Sequence, residues 1–252
     1  MTDTPRETRV LDAVVSLVDS LLDDFDVVDL LTGLTERCAD LLDVEAAALL
    51  LADPLEQLRL LAATSEQAHE LELFQLQADE GPCVDCYATG QPVSVADIQG
   101  AIERWPRFVP AAVGAGFVSV HAVPMRAAGI VLGALGLFGT RSGELTKADL
   151  LVGQTLTHSA CVAILQEHAP TPSTDMPQLR SALTSRVIVE QAKGFLRERL
   201  DVSVEEAFNL LRTYARVHGE HLTDVSRRLI ADRFSRAILV AELAELVAAP
   251  PH

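Results

Sequence analysis

Residues 167–177, EHAPTPSTDMP, divide this chain of 252 residues into two parts that must fold by different rules. The segment holds three prolines among Ser, Thr and charged residues, with almost nothing apolar. Each proline lacks a backbone donor and restricts the residue before it, so no continuous helix runs through. The stretch reads as an interdomain linker, and the chain is long enough for two cores. Charge divides at the same place. Residues 178–252 carry 11 Lys and Arg against 10 Asp and Glu, whereas residues 1–177 carry 9 against 26. With a net charge of −16, only the near-neutral C-terminal end suits a polyanion, because the rest would repel nucleic acid or an anionic membrane.

Before the linker, helical and strand periods alternate. Residues 11–22 and 27–42 carry apolar positions at spacings of 3 and 4 and are expected to be helices. The apolar stripe of the first comprises Leu11, Val14, Val15, Val18, Leu21 and Leu22 and suits packing on a sheet or against a second subunit. Two apolar runs, 44–52 and 58–63, flank D-P-L-E and predict a hairpin. A helix is expected over 66–77, a short strand within 91–98, and a helix broken at Pro106 over 101–115. Strands at 117–125 and 130–139 meet at R-A-A-G, a tight turn, and a capping box at Thr146–Asp149 opens a long helix to about Gln166. The order predicts an α+β fold, an antiparallel sheet with one face covered and with flanking helices. No apolar run reaches the ~18 residues of a membrane span. The opening MTDTPRETR has no apolar signal core, which implies a cytoplasmic protein.

After the linker, residues 186–230 read as three helices. Arg186, Lys193 and Arg197, at spacings of 7 and 4, stack along one stripe, and Ile188, Ala192, Phe195 and Leu196 lie about a third of a turn away. One face can pack while its neighbour offers cations. S-V-E-E at 203–206 is a capping box, and Val204, Ala207, Phe208, Leu211, Tyr214 and Ala215 form the buried side of the second helix. Arg212 and Arg216 project from its polar side. Gly219 ends it, Leu222, Val225 and Leu229 pack a third helix, and Arg227 and Arg228 lie off that face. Composition alone favours a structural bundle with solvated arginines over a binding surface. Tyr214 could stack on an unpaired base, but its spacing favours a core position with the hydroxyl at the edge.

V-E-Q-A-K-G at 189–194, V-S-V-E-E-A-F at 202–208, L-L-R-T-Y-A-R at 210–216 and L-T-D-V-S-R-R at 222–228 resemble the ANTAR domain, the small RNA-binding module of bacterial transcription antiterminators. The resemblance covers about 55 residues. It implies that Arg186, Lys193, Arg197, Arg212, Arg216, Arg227 and Arg228 meet an RNA of two short hairpins. Two departures stand out: Asp201 replaces a frequent Gly, and His218-Gly219-Glu220-His221 replaces a stretch that often carries Asn and basic residues. Upstream, E-G-P-C at 80–83, R-W-P-R-F at 104–108 and V-L-G-A-L-G-L-F at 131–138 resemble the GAF domain, a small-molecule sensing fold, and more narrowly actinobacterial proteins that join GAF to ANTAR. The expected layout is a GAF-like sensor over 10–166, the linker over 167–177 and a three-helix ANTAR module over 178–248. RNA, a small-molecule ligand in the GAF pocket and a second copy of the chain are the implied partners. No cofactor and no metal are implied.

Cys83 and Cys86 form C-V-D-C at an expected helix start, where a thiol pKa falls and a redox switch becomes feasible. The plainer reading makes Cys83 part of a structural turn and Cys86 incidental. Cys38 and Cys161 lie in helices expected behind the sheet, and no second CxxC supports a metal site. His121 reads as a packing residue, with the ligand pocket the alternative, and Trp105 as covering the pocket mouth or packing on the sheet. No nucleotide loop, serine-hydrolase elbow or H-E-x-x-H motif is present in the sequence. Three functions stay open: a sensor-driven RNA antiterminator, a dimerisation module that ignores RNA, and a GAF enzyme of the kind that reduces methionine sulfoxide.

Overall fold

A computed structural model of the chain describes residues 6–22, 25–127, 129–166 and 177–248. Asp23, Asp24 and residues 167–176, most of the expected linker, lie outside the described residues. The chain separates into two compact units, Met1–Asp24 with Leu30–Arg180, and Phe25–Asp29 with Ser181–His252.

The first unit contains α1 (Arg6–Leu22), most of α2 (Val27–Leu42), β1 (Ala46–Ala52), β2 (Leu58–Ala63), α3 (Glu66–Ala78), α4 (Pro82–Thr89), β3 (Val93–Val95), α5 (Phe108–Gly114), β4 (Ser119–Ala127), β5 (Ile130–Gly139) and α6 (Lys147–Gln166). The strands form one antiparallel sheet in the order β2-β1-β5-β4-β3. The β1–β2 corner is held by Asp53, whose Oδ1 accepts from the amides of Leu55 at 2.9 Å and Gln57 at 3.0 Å. β1, AAALLLA, is buried at every position, and β5 is buried from Leu132 onward. Continuous burial of this kind belongs to strands covered on both sides. The sheet is therefore covered on both faces rather than on the one expected. α3 and α4 lie against one face, with α5 packed beside α3, and α6 packs on the other. In α1, Ala13 and Leu17 are buried, while Leu11, Val15 and Val18 are exposed. The packed face is therefore not the stripe read from the sequence, of which Val14 is half-buried and the Leu21 and Leu22 side chains lie outside the described residues.

The helix expected over 101–115 is shorter. Ile98–Ala101 form a 3-10 turn capped by the Asp97 carboxylate, and α5 starts only at Phe108. The cause is a side-chain cap from a distant motif. Glu80 Oε1 accepts from the amides of Arg107 at 2.6 Å and Phe108 at 2.9 Å. Trp105 Nε1 donates to Asp85 at 3.1 Å, and Arg104 pairs with the same carboxylate at 2.7 Å. E-G-P-C and R-W-P-R-F thus dock on each other, and they close an apolar layer of Ile98, Trp105, Phe108, Phe117 and Phe138 over the sheet.

One carboxyl sits inside that layer. Glu72 of α3 is fully buried, accepts from the Gln75 amide and takes the Cys83 thiol at 3.2 Å. Gln75 in turn accepts from the Cys83 amide at 3.0 Å, tying α3 to the start of α4. Burial pushes Glu72 up from 4.5 to about 8, against the opposing pull of the Cys83 and Gln75 hydrogen bonds. At neutral pH this side chain is mainly a neutral acid.

The second unit adds α7 (Pro177–Leu200), α8 (Val204–His218), α9 (Leu222–Ala231) and α10 (Arg233–Ala248). Ser203 and Glu206 make the expected capping box, and Gly219 ends α8 in the left-handed region at φ 63°. Asp201, where Gly is frequent in the resembled family, also takes positive φ, 53°, a conformation Asp tolerates better than most residues. Three helices were expected, and the structure adds a fourth. α10 buries Leu239 and Leu243, and Arg236 donates to the carbonyls of Leu229 and Ile230 at the end of α9.

A Cβ on Gly133 of β5 would lie 2.0 Å from the Leu50 carbonyl oxygen, a backbone atom that cannot step aside. Gly133→Ala is expected to destabilise the sheet by roughly 3 kcal/mol. Gly194→Ala, in open space on α7, is expected to gain about 1 kcal/mol from helix propensity, both read by denaturant melts. Glu72 makes stability depend on pH. Between 4.5 and about 8 the folded chain keeps a proton that the unfolded chain has lost. Stability should therefore fall as pH rises through that window, by up to ~1.4 kcal/mol per pH unit. Urea melts at pH 5, 6, 7 and 8, followed through the single tryptophan Trp105, are expected to show this decline. Glu72→Gln should flatten it, and an equal slope in the variant would remove Glu72 as the cause.

Candidate nucleic-acid interface and sensor clefts

The cation stripe of α7 divides by burial. Arg186 and Lys193 are 8% and 9% exposed, and both hold the Glu190 carboxylate, Lys193 at 2.8 Å. The Lys193 ammonium also lies 5.5 Å from the centre of the Phe208 ring, and the Arg212 guanidinium lies 5.9 Å from the same ring. These contacts fasten α7 to α8 through a cation–π pair on one aromatic residue. A phosphate reaches Arg186 or Lys193 only if Glu190 lets go. Arg197, one turn further along α7, is exposed.

On α8 and α9, cations from the nearly enclosed Arg212 to the exposed Arg216 and Arg227 stand beside carboxylates. Arg212 and Arg216 both meet Asp29, the second at 3.5 Å, and the Arg216 side chain is 61% exposed. Asp29 belongs to the short Phe25–Asp29 part of this unit. Its neighbour Asp26 accepts from the Thr223 amide in the first turn of α9 at 2.7 Å. Arg227 is exposed and meets Asp224, and Arg228 pairs with Glu220 at 2.9 Å. The unusual loop before α9 therefore does more than lose positive charge: its Glu220 occupies one of the candidate cations. His218 stacks on Tyr214 with ring centres 4.0 Å apart. Tyr214 is a core residue whose hydroxyl donates to Glu242 of α10 at 2.7 Å. Residue order marks Asp26 as one of a cluster of solvated surface carboxylates and leaves Asp29 unmarked; the structure instead bonds both to α8 and α9, through partners almost two hundred positions away.

In the first unit, the four cysteines are buried as free thiols. Cys83 and Cys86 do occupy the first turns of α4, with Pro82 at the helix start. Burial overrides the helix terminus. It pushes Cys83 well above its ordinary value, reinforced by the Glu72 charge, and Cys86 up to about 12. Thiolate chemistry has little support from this placement. His121 is buried, with Nδ1 2.7 Å from Ser94 Oγ across the β3–β4 pair, and burial lowers its pKa. It lines a polar cleft of about 890 Å³ with Arg9, Asp43, Arg141, Glu144 and Asp149. A second groove of about 600 Å³ runs between β2, α3 and α4, lined by Leu58, Leu60, Leu73, Leu76, Arg59 and Tyr87. Trp105 fills the core rather than either opening. Among the described residues, no cluster of three or more His, Cys, Asp or Glu is placed to hold a metal ion. Among them also, no helix is long and apolar enough to cross a membrane.

Comparison with known proteins agrees with both halves of this description. A model of the GAF domain matches residues 26–165, and a model of the ANTAR domain matches residues 177–230. No curated protein sequence matches the chain. Among solved structures, a free methionine-R-sulfoxide reductase from Neisseria meningitidis superposes with a TM-score of 0.51 at 15% identity, covering 72% of this chain and 96% of the other. A structure described as the GAF domain gives 0.51 at 14% identity, covering 64% and 90%. The GAF domain of a phosphoenolpyruvate-protein phosphotransferase from Coxiella burnetii gives 0.50 at 16%, covering 62% and 93%. At such identities the likeness establishes the fold of the first unit alone. The chain belongs to the GAF domain family and joins that domain to a C-terminal ANTAR domain.

Proposed function

We propose that this chain is a signal-responsive regulator of transcription, in which the GAF domain senses a small molecule and the ANTAR domain binds hairpin RNA and prevents termination. The observation that carries the reading is the coincidence of the ANTAR match over 177–230 with the exposed cations Arg197, Arg216 and Arg227, in a chain whose other end is strongly acidic. The working division is a sensor over 10–166, a linker over 167–177 and an RNA-binding part over 178–248. A cytoplasmic site follows from the RNA target.

The groove between β2, α3 and α4 is the sensor's ligand site in this reading, because its apolar wall and few polar groups suit a small organic molecule. The active species is a homodimer. Two hairpins call for two modules, and the outer face of α1 offers Leu11, Val15 and Val18 at helical spacing. The reductase reading gains nothing specific, since the CxxC thiols are buried and held protonated.

RNA affinity decides the matter. Against a panel of two-hairpin RNAs, the full chain is expected to bind with a steep salt dependence. Replacing Arg197, Arg216 and Arg227 with Ala should weaken binding and reduce the slope of log affinity against log salt by about 2 units, at ~0.7 per phosphate contact. Arg141→Ala, an exposed change in the other unit, should leave both unchanged. Light scattering should give a dimer carrying one RNA. A folded protein that binds none of the panel at low salt would refute the proposal.

A further inference from the structure

We propose that Arg212, Arg216 and the amino end of α9 form a phosphate site for the RNA backbone, and that Asp26 and Asp29 keep it closed by standing where phosphates would bind. The proposal rests on the reading of the C-terminal unit as an RNA binder. Asp29 takes both arginines at once, with Oδ1 on Arg212 Nε and Oδ2 3.5 Å from Arg216. Asp26 sends Oδ2 to the Thr223 amide at 2.7 Å, in the first turn of α9, where the positive end of the helix dipole attracts anions. Its other oxygen caps α2 through the amides of Val28 at 2.9 Å and Asp29 at 3.1 Å. Guanidinium and amide donors make the same charge-assisted bonds to a carboxylate as to a phosphodiester. The two aspartates, three residues apart at the cap and first turn of α2, therefore present the anionic oxygens that an RNA strand would bring.

The two pairs differ in exposure. The Arg216 side chain is 61% exposed, so the Arg216–Asp29 pair is solvated and individually weak, whereas the Arg212 side chain is 13% exposed and its contact with Asp29 is the firmer half of the lock. A polyanion that engages Arg197 and Arg227 together with Arg212, Arg216 and the Thr223 amide brings more contacts than the three that the two aspartates make there. The locked segment is also continuous in sequence with Leu30–Arg180, the sensor unit. A sensor state that shifts this turn changes how much of the protein is open, and apparent affinity falls in proportion to the closed fraction.

The experiment uses the full chain with two probes, a panel of two-hairpin RNAs and inorganic polyphosphate, each titrated by fluorescence anisotropy at low salt. Asp26→Asn with Asp29→Asn removes both charges while Asn still caps a helix start. This double variant is expected to bind RNA about tenfold more tightly than the parent. Asp29→Asn alone leaves the Asp26 cap untouched, and it should move affinity in the same direction by less. Adding Arg212→Gln and Arg216→Gln to the double variant should abolish the gain. A gain on polyphosphate with no RNA binding by any variant would retain the closed phosphate site and refute the RNA reading. No gain on either probe by the double and single variants, with circular dichroism unchanged, would overturn the site itself, as would a gain that survives loss of both arginines.

Discussion

Arginine and lysine in this chain must compete for their own charge. With acids outnumbering bases by 16, a cation that folding places near the surface finds a carboxylate close by. Glu190 takes two cations, Asp29 two, Asp224 one and Glu220 one. What those pairs do depends on water. Arg186 and Lys193 are nearly enclosed, so losing Glu190 would strand desolvated charge, and the contact serves the fold. Arg216 and Arg227 remain largely solvated, so their carboxylates can be exchanged cheaply for other anions. One sequence feature, a cluster of cations in a helical module, has thus been sorted by burial into a structural part and an exchangeable part.

The sensor unit shows the same competition between burial and local electrostatics. The first turn of α4 should favour a thiolate, and a glutamate should be ionised at neutral pH. Enclosure reverses both. Glu72 is held mainly neutral and Cys83 firmly protonated, and each then bonds the other inside an apolar layer. The layer lies under the docked E-G-P-C and R-W-P-R-F motifs. Those motifs position α5, and in positioning α5 they complete the wall over the sheet.

Much of this was legible in residue order. The two capping boxes, the β1–β2 hairpin, β5 and α2 are local events, written in spacings of two, three and four, and they stand where the pattern put them. What escaped was non-local. The start of α5 only at Phe108 depends on Glu80, more than twenty positions upstream. The second covered face of the sheet depends on α6 returning to it. The inward turn of Arg186 and Lys193 could not be separated from an outward one by spacing alone, because a cation stripe next to an apolar stripe looks the same whether or not Glu190 closes over it. The carboxylate that meets both Arg212 and Arg216, that of Asp29, comes from the opposite end of the chain.

The fourth helix bears on where this RNA-binding part begins and ends as a folding unit. The family match stops at Ile230, but Arg236 satisfies the last carbonyls of α9, Glu242 receives the Tyr214 hydroxyl, and Leu239 and Leu243 are buried. A fragment cut at Ile230 would leave open carbonyls at the end of α9, an unpartnered phenol in the core and an uncovered apolar flank on α8 and α9. Such a piece would tend to self-associate through the exposed flank. The smallest autonomous form of this module is therefore longer than the segment by which its family is recognised.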